Sequence, residues 1–168
     1  MSDVVNAEAK TSLIEVEAFK HCKVLRLETT DWNIAMGRFK EAQNLVPGNY
    51  SSLEFCFQSA WRESKRNAIS VGAGICKAKQ NIEEAKADII LDEIPEILKD
   101  LPKSANNADF RKAIMSRNKD YTDSLEHCDK LEALLEHFES HMKIMENTSR
   151  YLKKQMDYFI RSGVIGPR

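Results

Sequence analysis

FQSAWRESKRNAISVGAGICKAKQNIEEAKADII (57–90) and CDKLEALLEHFESHMKIMENTSRYLKKQMDYF (128–159) are the two stretches that decide the fold. In the first, Phe57, Trp61, Ser64, Ala68, Val71, Ile75, Ala78, Ile82, Ala85 and Ile89 recur in steps of four and three. In the second, Cys128, Leu131, Leu135, Phe138, Met142, Met145, Ser149, Leu152, Met156 and Phe159 do the same. Such spacing, sustained over several heptads, predicts coiled-coil-like packing. The expected fold is all-α: an elongated antiparallel helical hairpin over 51–168, preceded by an N-terminal helical segment over 1–50. Ala68, Ala78 and Ala85 make the first stripe small, while Leu135, Phe138, Met142 and Met145 make the second large, so the two can interdigitate.

Working outward, Pro47-Gly48-Asn49 is a breaker, and Ser51 or Ser52 is a candidate N-cap for the first long helix. Gly72 and Gly74 cost that helix stability relative to alanine. A close helix approach is the expected reason for keeping them. Pro95 predicts a break or kink. Asn107 predicts an N-cap with a helix starting near Ala108, the polar run Ser116–Asp120 an interruption, and Gly163 the end of the second long helix. Upstream, Thr30 is a candidate N-cap for one helix over 31–45, with Trp32, Ala35, Met36, Phe39 and Ala42 on one face. Leu13, Ile14, Val16, Phe19, Cys22 and Leu25 suggest a further helical face, although Val24–Thr29 also alternates as a strand would. Helix is the reading taken there.

The chain has 168 residues, 30% of them charged, with a net charge of −1. Bulk charge therefore favours no class of partner, and any nucleic-acid contact needs a local patch. No apolar run approaches the length of a bilayer span and no signal peptide is evident, so the expectation is a soluble cytoplasmic protein with reduced, mostly buried thiols. Pairing Ile94 with Tyr121 across the hairpin sorts the charges. Glu83, Glu84, Asp88, Asp92, Glu93, Glu96 and Asp100 gather with Asp120, Asp123 and Glu126 at the loop end. Arg62, Lys65, Arg66, Lys77 and Lys79 gather with Arg150, Lys153 and Lys154 toward the other. These eight cations are the expected nucleic-acid-binding residues, through counterion release. Two other readings stand beside this one: attraction between acidic and basic ends of different subunits, or plain solvated faces. Tyr50, Tyr151 and Tyr158 lie off the stripes and are candidates for base stacking.

Chemistry has little footing. His137 and His141 share a helical face, but no third ligand completes a metal site. His127-Cys128 and His21-Cys22 lack an orienting third group. Gly72-x-Gly74 follows no strand and is not a dinucleotide fingerprint. No catalytic residue, metal or cofactor is expected.

Three segments carry a family resemblance: Ala78–Leu91 (AKQNIEEAKADIIL), Phe110–Tyr121 (FRKAIMSRNKDY) leading into Leu125, Leu131, Leu135 and Phe138, and Met145–Met156 (MENTSRYLKKQM). Together they resemble the phage recombination mediators of the UvsY type over about residues 55–160. The resemblance implies an oligomeric, ring-forming helical protein in the host-cell cytoplasm. It would bind single-stranded DNA and help load a RecA-like recombinase against a single-strand-binding protein. The family's basic motif near the end of its first helix reads Lys86-Ala87-Asp88 here. Contacts therefore fall to Arg62, Lys65, Arg66, Lys77 and Lys79, or to Arg111, Lys112, Arg117 and Lys119. A helical structural or adaptor protein that self-associates or binds a protein partner is the alternative.

Overall fold

The computed structural model describes residues 12–16, 24–102 and 106–164. The elements are β1 (Leu13–Val16), β2 (Leu25–Glu28), α1 (Thr30–Gly37), α2 (Phe39–Gln43), a 3-10 turn (Pro47–Asn49), α3 (Tyr50–Asp88), a π-turn (Ile89–Glu93), α4 (Ile94–Leu98), α5 (Ala108–Met115) and α6 (Lys119–Arg161). Among the described residues the fold is all-α apart from one small antiparallel pair of strands. The chain packs as two compact units: residues 24–69 and 136–164 with 12–16 in the first, and 70–135 in the second.

The first unit has three layers. One core joins Ala35 and Ala42 of α1 and α2, Leu45, Leu53, Cys56, Phe57 and Ala60, and Met145 and Leu152 of α6. Trp32, Phe39, Tyr50, Trp61 and Phe159 close around it. Here α3 is covered on two sides, so it buries a second 3–4 stripe, Leu53, Cys56, Ala60, Glu63 and Asn67, beside the expected one. The antiparallel sense of α3 and α6 is marked by Lys153 Nζ lying 3.5 Å from Glu54 Oε1.

The second unit is simpler. The α3 stripe continues through Val71, Ile75 and Ala78, and α6 supplies Cys128 and Leu131, all buried. Lys79 Nζ meets Glu132 Oε1 at 2.8 Å, and Asn118 donates to Glu93 at 2.6 Å, again antiparallel. Every member of both heptad stripes is buried or half-buried. The helix expected from the 3–4 spacing carries on past Ile89 through the π-turn, where the N–H of Ile94 bonds to the carbonyl of Ile89. A step of five keeps both Ile89 and Ile94 in the core and leaves Asp92 and Glu93 outside. A uniform α-helical step would have turned one of those acids inward.

Several local expectations are corrected. Leu25–Glu28 forms a strand rather than part of a helix: Leu13 pairs with Glu28 and Val16 with Leu25. The reason is the period-2 pattern, with Leu27 fully buried and Arg26 and Glu28 exposed. Phe19 and Cys22 of the expected helical face lie outside the described residues. Residues 30–43 form two helices, not one: the ladder breaks at Arg38, whose N–H reaches the carbonyls of both Ile34 and Ala35. The α3 helix starts at Tyr50, directly on the 3-10 turn, so neither Ser51 nor Ser52 is its cap. A Cβ placed on Gly72 would meet nothing within 4 Å, so no close helix approach explains that glycine. Asn107 caps α5 as expected, its side chain accepting from the Phe110 N–H at 2.9 Å. Asn118 caps α6 the same way through the Tyr121 N–H at 3.0 Å, which accounts for the interruption at 116–118.

Candidate nucleic-acid interface

The cluster Arg62-Glu63-Ser64-Lys65-Arg66 reads in sequence as cations diluted by an acid. The fold separates them. Glu63 is only 2% exposed, and its two carboxylate oxygens accept the N–H groups of Asp31 (3.0 Å) and Trp32 (2.9 Å). These are orphan donors at the start of α1, whose own N-cap residue, Thr29, makes no side-chain cap. A carboxylate from α3 therefore caps α1, where a negative charge suits the helix dipole. Burial still raises the Glu63 carboxyl above its ordinary range, with the backbone N–H donors opposing that rise. One turn on, Asn67 donates to the carbonyl of Glu28 at 2.6 Å, so α3 clamps both sides of the β2–α1 corner.

With Glu63 turned inward, Arg62, Lys65 and Arg66 stand exposed within little more than one turn of α3. Lys65 Nζ lies 4.9 Å from the ring centre of Trp61, a cation–π contact that holds the ammonium at the surface. Beside them runs an open groove of about 340 Å³ lined by Gln58, Trp61 and Arg62 of α3 and Glu146, Ser149 and Lys153 of α6. Its acid, Glu146, is bonded to Arg150. Among the described residues Arg62 has no ion pair, so its charge is available to a ligand. The groove thus has two cations on opposite walls, Arg62 and a Lys153 that lies 3.5 Å from Glu54, with an indole flank, the Ser149 hydroxyl, and a Gln58 amide that donates to Glu54. That is an anion-binding chemistry with room for a phosphodiester.

The eight expected cations are divided by the fold. Arg62, Lys65, Arg66, Arg150, Lys153 and Lys154 belong to the first unit, and Lys77 and Lys79 to the second. Lys79 is engaged by Glu132, which raises its pKa through a side-chain hydrogen bond. Of the stacking candidates, Tyr151 and Tyr158 are exposed. Tyr50 is half-buried, and burial together with a hydrogen bond to Glu54 pushes its hydroxyl up to about 12.

The histidine pair is not arranged as a chelate. His141 is 7% exposed and stacks flat on Trp32, with ring centres 3.4 Å apart and planes within 6°. His137 lies tilted beside it at 4.0 Å. Nδ1 of His141 is buried without a hydrogen-bond partner, and burial drives the imidazole down to about 4. Among the described residues no group of three His, Cys, Asp or Glu side chains could hold a metal ion. Burial also raises the thiols of Cys56 and Cys128, which disfavours the nucleophilic thiolate.

Glu63, Asn67 and His141 escape a reading of hydrophobic periodicity because they are polar. Their signal is the second 3–4 stripe, visible only if polar residues are allowed to occupy it. Among the described residues no helix is long and apolar enough to cross a membrane. No family model, curated protein or solved structure matches this chain.

Proposed function

We propose that this protein is a non-enzymatic single-stranded-DNA-binding protein that engages the strand through the α3–α6 groove of its first unit. The observation carrying this reading is the inward rotation of Glu63, which leaves Arg62, Lys65 and Arg66 as a cationic turn beside Trp61, with Lys153 across the groove. Arg62 and Lys153 take phosphates, Lys65 and Lys154 extend the track, and Tyr151 or Tyr158 offers a stacking face. The resemblance to phage recombination mediators supports a role for this binding in recombination, with a RecA-like recombinase and a single-strand-binding protein as the proposed partners of an oligomer.

The test is fluorescence anisotropy with labelled poly-dT at several salt concentrations. Binding should weaken steeply with salt. Replacing Arg62, Lys65 and Lys153 together by alanine should reduce affinity about 10- to 100-fold and flatten the salt slope by about 2. Salt-insensitive binding, or a triple variant equal to the parent, removes the reading. An adaptor role is the second reading, favoured by the exposed side chains of Ile90, Leu91, Ile97 and Leu101 in the second unit. Its signature is an assembly that ignores the oligonucleotide at low salt.

A further inference from the structure

Two outward faces of this chain are complementary to each other. On α6, Tyr151, Lys154, Tyr158 and Arg161 follow the same 3–4 spacing as the buried stripe but point to solvent. Tyr158 is 65% exposed. Aromatic and cation alternate along it, and among the described residues neither Lys154 nor Arg161 has an ion pair. In the second unit, the π-turn presents Ile90 and Leu91 outward, Leu91 with 71% of its surface exposed. Asp88 and Asp92 bracket Leu91. Glu83 and Glu96 nearby are compensated by Lys86 and Lys99, and Glu93 accepts a hydrogen bond from Asn118, whereas Asp88 and Asp92 have no ion pair among the described residues. The apolar ridge is exposed surface that a partner can cover, and its two acids and the stripe's two cations make the two patches opposite in charge. Each is what the other lacks.

We infer that the π-turn ridge of one copy docks the outer α6 stripe of a second copy. Tyr158 covers Leu91, while Arg161 and Lys154 reach Asp88 and Asp92. The two patches are different surfaces, so the contact is heterologous: each copy keeps one free ridge and one free stripe, and assembly proceeds head to tail. Screening by salt weakens it. The inference does not rest on the DNA reading: the ridge residues have no part in it, and the stripe, though it flanks the proposed track, lies outside the groove.

The experiment is analytical ultracentrifugation of the full chain at low and moderate salt, without DNA. The parent should form a concentration-dependent series of species that shrinks as salt rises. A ridge variant (Asp88→Lys with Asp92→Lys) and a stripe variant (Tyr158→Ser with Arg161→Glu) should each associate at least tenfold more weakly. The decisive arm mixes a ridge variant with a stripe variant. Each retains one intact half of the contact, so the mixture should form a capped 1:1 dimer and nothing longer. A monomeric parent at high concentration, variants that still assemble, or a mixture that forms no dimer overturns the inference. Circular dichroism checks folding, and should the ridge double variant lose helix, Leu91→Ser replaces it. Poly-dT anisotropy on Leu91→Ser keeps the two readings apart: its DNA affinity should equal the parent's.

Discussion

The two units use the same pair of helices and solve the packing problem differently. In the first, α1 and α2 add a third layer, so α3 buries two stripes and can bring Glu63 and Asn67 inside, where they hold the β2–α1 corner. In the second, α3 buries essentially one stripe against α6, its buried members small, and leaves Ile90, Leu91, Ile97 and Leu101 exposed around the π-turn. A third layer allows buried polar groups with assigned partners. Without one, the same helices stay half-wet, and their ion pairs, such as Lys79–Glu132, lie at the surface where they contribute little.

The largest effect that tests this contrast is truncation of the core. Phe57 is fully buried in the three-layer core and Leu131 fully buried in the second unit. Phe57→Ala should cost about 3–5 kcal/mol and Leu131→Ala about 2–4, measured by urea denaturation. Equal costs would mean that the added layer does not tighten the first unit. A cooperative single transition in one variant and two in the other would show the units melting apart.

Acid should distinguish the units next. The unfolded chain takes up a proton at His141 below about pH 6.5, while the fold, which holds this group at about 4, refuses it. Stability should therefore fall as pH drops across that window, by about 2–3 kcal/mol. Glu63 acts in the opposite sense: its raised carboxyl takes a proton in the fold before it does in the unfolded chain, so acid relieves its burial. His141→Phe should remove its share of the loss between pH 6.5 and 4 and leave the Glu63 gain. Hydrogen exchange of α1 amides, followed across the same range, should report both changes, while amides of 119–130 follow His127, which burial also holds below its ordinary value. An unaltered pH profile in His141→Phe would contradict the assignment.

The smallest expected effect is a gain. Gly72 sits in mid-helix with open space where a Cβ would go. Gly72→Ala should stabilise the protein by about 0.5–1 kcal/mol, seen as a higher urea midpoint. A loss instead would reveal that this face of the second unit is covered by a partner, and would direct attention to the assembly.

Much of this fold was legible in sequence because the information is local and periodic. The two stripes, the stop at Pro47-Gly48, the cap at Asn107 and the end near Gly163 all follow from spacing and backbone chemistry that neighbours cannot easily override. The strand pair was less so: Val24–Thr29 carries both patterns, and only a partner at Leu13–Val16 decides between them. The π-turn was signalled by Pro95 as a disturbance, but its form depends on keeping Ile89 and Ile94 in one core.

The groove was half legible. Arg62, Lys65 and Lys153 could be named from charge clustering, yet Lys77 and Lys79 were grouped with them on the same grounds and lie in the other unit. What sequence alone determined is the all-α character, the two long helices and the residues that face each other along them, because hydrophobic period and helix geometry are properties of a single segment. What only tertiary structure decided is which polar residues turn inward. Glu63, Asn67 and His141 are buried because α1 and the β2–α1 corner supply backbone donors, an acceptor and an indole face at those positions, and that burial is what leaves Arg62, Lys65 and Arg66 together at the surface.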